Sequence, residues 1–374
     1  MGGRRAGMVR LNPRASAGNR FARLPPLPAR LLLAGFFLLL ALAALTAPGE
    51  RAAAPSAPSS VAPAQAAQGG PDVDLQLYQR IAERVAAGEN YYRAAIEEQR
   101  ARGFPVRPGL AVRLPTSAWV AAALGRNGLI AAAAALALAV ALAWWRRLGA
   151  EPGAADRRVI AMLLLAIGAL MGLKLQYLYL HEVWAGLLLA LSFGLHRPGR
   201  WLGAWCAAAL ALAIREHALP FVLLMGALAL WRRDWRETAA WGLLAGLFAA
   251  GLALHLAEVS RHLLPSDRES PPWLVFRGLE GWTSNLVLSS VLHLLPARVA
   301  APLVLLPLLG WAGWRSPAGL FGLLLHTGYG LFFMLAGRDN NFYWALVVVP
   351  TWFIGLAFVP AVLASLGRAA LGKT

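Results

Sequence analysis

Charge is scarce in this chain. Asp, Glu, Lys and Arg make up 14% of its 374 residues and apolar residues 59%, whereas a soluble domain carries about a quarter charged residues. Lysine occurs only at Lys174 and Lys373, so the positive charge is nearly all arginine. The single cysteine, Cys206, lies in an apolar run, which excludes an intrachain disulfide and a cysteine metal cluster. A GxGxxG ahead of a helix, HExxH and GxSxG are all missing, and the string Gly367–Thr374, which fits the Walker spacing, follows an apolar span and not a strand, so a nucleotide-driven or metalloprotease activity has no support. The formal charge of +17 does not point to nucleic acid. The arginines are not grouped with aromatics on one face. They punctuate the ends of apolar runs, where anchoring and topology need them.

What is present is a series of long apolar runs with short charged interruptions, the pattern of bundled transmembrane helices. Residues 1–30 hold seven arginines and no acid and read as a cytoplasmic tail. The run 31–47 follows, near the short limit of about 17 residues for a crossing, and reads as an uncleaved first helix. Residues 48–127 form an extracytoplasmic loop. Within it, the Ala/Pro/Ser stretch 51–70 has too little apolar bulk to fold. Residues 71–102 then place Leu75, Leu77, Tyr78, Ile81, Val85, Tyr92 and Ile96 at roughly helical spacing among charges, predicting amphipathic helices at the membrane surface, broken near Gly88. Further spans read as 128–145, 159–178, 183–195, 201–214, 218–231, 238–256, 299–314, 318–336 and 344–366, about ten with the first. Residues 367–374 form a second cytoplasmic tail.

Charge tests this topology. The pieces assigned to the inside hold 19 Lys/Arg and 4 Asp/Glu, leaving 16 and 14 for the rest. The short inner loops obey the positive-inside rule, and carboxylate chemistry is expected on the outer side. Residues 201–231 must cross twice, at about 15 residues or roughly 22 Å each against a core of about 30 Å. Their turn, Arg215-Glu216-His217, then lies below the surface. The 159–195 hairpin does the same with Lys174, His181 and Glu182.

Three constellations could carry chemistry. Each turn joins a base, a glutamate and a histidine, and ionisable groups at membrane depth usually face a polar cavity. They read either as a pocket for an anionic headgroup or as ion pairs that neutralise a buried turn. Asp72-Val73-Asp74, with Tyr78 one turn on, offers a general base toward a hydroxyl or, alternatively, a helix cap. Arg107, Arg113 and Arg126 could grip phosphate or anchor headgroups. The run Arg338-Asp339-Asn340-Asn341-Phe342-Tyr343-Trp344 lines the same pocket or satisfies a helix end. The outer loop 257–298 adds Trp273, Arg277, Glu280 and Trp282 on the same side.

The order of a basic N-terminus, one span, a long outer loop opening with acids and amphipathic helices, then many short spans resembles the GT-C superfamily of integral-membrane glycosyltransferases. His181-Glu182-Val183-Trp184-Ala185-Gly186-Leu187, with Ile214-Arg215-Glu216 before Pro220, is similar to the middle of its bacterial mannosyltransferase-like members. The resemblance implies an all-α polytopic enzyme of the bacterial inner membrane with both termini cytoplasmic. It would move a sugar from a polyprenyl-phosphate donor to a lipid or glycan acceptor. It implies Asp74 as base with Asp72 second, and Arg113, Lys174, His181, Glu182, Arg215, Glu216, Arg338 and Asp339 around the substrate. No cofactor is required by it, and a divalent metal stays open because members differ. The competing class is a transporter or flippase for a lipid-linked or anionic solute. Paired short hairpins suit that class, but no sequence repeat supports it.

Overall fold

A computed structural model describes residues 19–48, 71–170 and 172–373, without the side chains of 71–73. The stretch 51–70, residues 1–18 and the side chain of Asp72 lie outside the described residues. The described residues are helical, with isolated bridges and no β-strand. Five helical segments are long and apolar enough to cross a membrane: Pro26–Thr46, Gly109–Ala150, Trp235–His262, Pro317–Leu335 and Val349–Ala370. Four shorter apolar helices stand among them.

Helix α1 (Pro26–Thr46) begins with proline at its first position, where the missing N–H costs nothing. It packs on the helix Ala297–Gly313 and the C-terminal helix. Helices α2 (Pro71–Ala86) and α3 (Tyr91–Ala101) are the amphipathic pair. Between them Gly88 takes φ +91°, a left-handed conformation that suits glycine. Asn90 then caps α3 through its side-chain oxygen, which accepts from the Tyr92 and Arg93 amides. Leu77, Ile81, Tyr91, Ile96, Phe104 and Val259 bury the apolar faces of the pair. Arg100 clasps Asp267 at 2.6 and 2.8 Å and fastens α3 to the segment that follows the helix Trp235–His262.

Helix α4 (Thr116–Ala150) starts well before the expected span at 128 and bends at Gly125, φ +61°. The bend turns residues 116–124 toward the amphipathic pair, where Ser117, Ala118 and Ala121 line the same cavity as α2 and α3. Helix α5 (Arg158–Leu170) is shorter than the expected span 159–178. The chain turns after it, through a 3-10 stretch Leu175–Tyr177, into α6 (His181–Leu195). Helices α7 (Leu202–Ile214) and α8 (Leu219–Trp231) have 13 residues each, about 20 Å of rise, and meet at the 215–218 turn. Helix α9 (Trp235–His262) runs past the expected end at 256. Glu237 in its first turn is fully buried and accepts from His196 at 2.7 Å, Arg232 at 2.8 Å and Trp241 at 3.1 Å. That carboxylate ties together the two turns at this end of the bundle.

The segment 257–298 is not simply a loop. It contains α10 (Gly278–Leu288), whose Trp282, Asn285 and Leu286 are buried. Helices α11 (Ala297–Gly313) and α12 (Pro317–Leu335) follow. A 3-10 run, Asp339–Val347, precedes α13 (Val349–Ala370). The 3-10 run lies against α6 so closely that a Cβ on Gly186 would overlap the Leu346 carbonyl. Gly186→Val must push backbone aside. The expected result is about 3 kcal/mol of lost stability, read as a lower thermal unfolding midpoint, together with displacement of the residues 339–347.

Candidate functional site

The amphipathic pair, the front of α4, the start of α6 and the 338–343 segment enclose a cavity of about 150 Å³. Asp74 reaches it from the first turn of α2 and is 9% exposed. The Tyr343 hydroxyl donates to its Oδ2 at 2.5 Å across 269 residues of chain. Burial raises the Asp74 carboxyl above its ordinary value of 3.8, and the Tyr343 bond and Arg113 only partly oppose this. A carboxylate short of solvation is a stronger base than one in water.

Tyr78, one helical turn later, packs edge-on against the His181 ring at 4.5 Å. Its hydroxyl accepts from Arg113 Nε at 3.1 Å. Burial pushes the Tyr78 hydroxyl up to about 12, so it stays protonated and has a proton to share. Arg113 is held by its carbonyl as well, which accepts from Tyr91 Oη at 2.5 Å. Arg113, Arg268 and Arg338 all line the cavity, with Asp74 as its only carboxylate among the described residues. The chamber therefore favours an anionic group.

His181 lines the cavity, while the other charged groups of the two turns lie beside it. Arg215 is fully buried, with Nε 2.7 Å from Glu182 Oε1. That N–H is not aligned on the oxygen, so this is a charge contact. Nη1 donates to Glu216 Oε1. Glu216 in turn stands 3.9 Å from Arg113 Nη1, which links the buried triad to the cavity wall. Ile214 reaches the cavity, while Arg215, Glu182 and Glu216 do not line it.

Asp74, Arg113, His181 and Arg338 are thus brought to one chamber, with Glu182, Arg215 and Glu216 behind it. Two expected members are elsewhere. Lys174 is exposed, its ammonium 6.0 Å from the Tyr177 ring, because α5 stops at Leu170 and the turn carries Lys174 outward. Asp339 has a side chain 97% exposed that pairs with Arg277 at 2.9 Å. Trp184, Arg268 and Gln99 line the cavity without having been singled out. Nothing in their spacing marks them, since each reaches the chamber from a different element.

A second, apolar cavity of about 260 Å³ lies between α4 and α6. Ile130, Ala133, Leu173 and Leu187 line it, and it shares Leu178 and Trp184 with the polar chamber. No family model matches this chain, and no curated protein or solved structure is similar to it at a significant level.

Proposed function

We propose that the chain is a GT-C-type membrane glycosyltransferase of about ten crossings, moving a sugar from a polyprenyl-phosphate donor to a hydroxyl acceptor. The observation that carries this reading is the pairing of one basic, buried carboxylate with three arginines in a chamber whose wall continues into an apolar groove. A donor with a hydrocarbon tail in that groove would place its phosphate among Arg113, Arg268 and Arg338. Asp74 removes the acceptor's hydroxyl proton. The oxygen attacks the anomeric carbon as the bond from that carbon to the phosphate oxygen breaks. The arginines meet the charge that gathers on the departing phosphate. The charge count favours a chamber on the extracytoplasmic side with both termini inside, as an inner-membrane enzyme of this type would have. The four shorter apolar helices and α5, though under the usual crossing length, would supply the remaining crossings, α5–α6 and α7–α8 as hairpins whose turns bury Arg215 and its partners.

The test uses purified protein in nanodiscs with radiolabelled polyprenyl-phosphate sugars and a membrane-lipid acceptor pool. Transfer dependent on Asp74 supports the reading. Absence of transfer with saturable movement of a lipid phosphate across liposomes would favour a flippase instead, a reading the interrupted short hairpins also suit.

Tyr343 gives a finer check. Its hydrogen bond stabilises the ionised Asp74, so Tyr343→Phe should raise the carboxyl further. The acid limb of the transfer rate against pH is expected to move up by about one pH unit. The plateau rate at high pH should change less. An unmoved acid limb would mean that the Asp74–Tyr343 contact does not govern the base.

A further inference from the structure

Residues 273–277 and 334–337 form a short antiparallel ribbon. Val275 N donates to Leu335 O at 3.2 Å, Arg277 N to Met334 O at 2.8 Å and Gly337 N to Trp273 O at 2.8 Å. Leu274 pairs with Ala336. The stretch stands between two environments. Trp273 lines the polar cavity, as does Arg338 one residue past the ribbon. Arg277 turns inward to Asn285 at 2.8 Å. Between them Leu274, Val275 and Phe276 are 83%, 40% and 76% exposed. Leu331 and Leu335 near the end of α12 are exposed as well, and α12 is one of the helices long and apolar enough to cross a membrane.

We propose that this ribbon lies in the bilayer at the headgroup–acyl boundary on the cavity's side, and that it is the wall over which an amphiphile passes from lipid into the chamber. Two features select the bilayer as the occupant of the outer face. The exposed Leu274, Val275 and Phe276 lie against the exposed end of α12, where Val275 bonds to Leu335. The ribbon is also pinned to the end of that helix, so its depth is set by the helix. Its open edges carry backbone polar groups that hydrocarbon would not solvate, which places it at the boundary and not at the bilayer centre. The molecule admitted has an apolar body and an anionic head, because the cavity face of this wall presents Arg338 and Arg268. The proposal rests on the chain being a membrane protein and not on Asp74 acting as a base, so either can fail alone.

The test needs no substrate. In a Cys206→Ser background, Leu274→Cys and Phe276→Cys are spin-labelled in nanodiscs. Accessibility to oxygen is compared with that to a water-soluble nickel complex. Glu269→Cys, on the exposed stretch before the ribbon, serves as the aqueous reference, and Leu247→Cys on α9 as the lipid reference. Both ribbon sites should fall between the references, with oxygen favoured over nickel. Values matching Glu269→Cys overturn the proposal. The passage role is tested with Asn340→Cys, which lines the cavity, and a phospholipid bearing a maleimide headgroup. Adding Leu274→Glu and Phe276→Glu should slow that labelling several-fold while leaving labelling by a small water-soluble thiol reagent unchanged. Those two residues point outward, so folding should survive, as checked by elution profile. Unchanged lipid labelling overturns the ribbon as the entrance, and equal slowing of both reagents does the same by showing a general distortion.

Discussion

Asp74→Asn should reduce sugar transfer by about 10²–10⁴-fold, the range over which a positioned general base contributes, with folding intact. Asparagine keeps the size of the side chain and an oxygen that can accept from Tyr343, so the contact that joins α2 to the 3-10 run survives. What is lost is the capacity to take a proton. The wild-type rate should rise with pH through the Asp74 carboxyl, above its ordinary value of 3.8, because only the ionised form is a base. The same shift has the opposite sign for stability. The fold favours the protonated carboxyl, so its contribution is present at low pH and is lost as pH rises through the raised value. On acidification this group's contribution to stability should therefore grow while transfer falls. Transfer is measured with labelled donor in nanodiscs and folding by thermal unfolding. If Asp74→Asn transfers sugar as well as wild type, the base is elsewhere. Glu182 and Glu216 would then be next to test, being the carboxylates behind the cavity.

Arg215→Met should destabilise the protein by about 3–5 kcal/mol, the cost of leaving buried charge without its partner. The guanidinium is fully buried between Glu182 and Glu216, and its removal strands one carboxylate at the start of α6 and weakens the pairing of the other at the turn between two 13-residue helices. The same variant carrying Glu182→Gln should recover part of the loss, because one stranded charge is removed with it. A lower unfolding midpoint in the single variant, partly restored in the double, checks this. A single variant as stable as wild type would show that the triad is not what holds the turn. Loss of transfer at unchanged stability would bring Arg215 into contact with substrate.

These two experiments differ in how far their targets could be read from the chain. Asp74 stands out because acids are rare here and this one opens an amphipathic stretch with Tyr78 a turn away. Arg215 and Glu182 stand out because charge inside an apolar run is costly and has to be matched. Their pairing across 33 positions was not legible, and neither was the direction in which each turn faces. Lys174 shows the failure. It has the same local setting as Arg215, yet the early end of α5 leaves it exposed. Asp339 shows it again, because its neighbour Arg338 turns to the cavity while Asp339 turns to solvent.

Composition and periodicity are properties of neighbours in sequence, and they were enough for an all-helical membrane protein with an amphipathic pair broken at Gly88. Helix lengths inside the bundle were less secure, since an apolar run continues through a bend at Gly125 or a stop at Leu170 without changing its hydropathy. The burial of α10 and the two-faced ribbon at 273–277 depend on which surfaces meet across the fold. The Asp74–Tyr343 contact and the shared wall of the two cavities are also products of long-range packing. Groups hundreds of positions apart leave no periodic trace in the chain, so their meeting became visible only once the helices were packed.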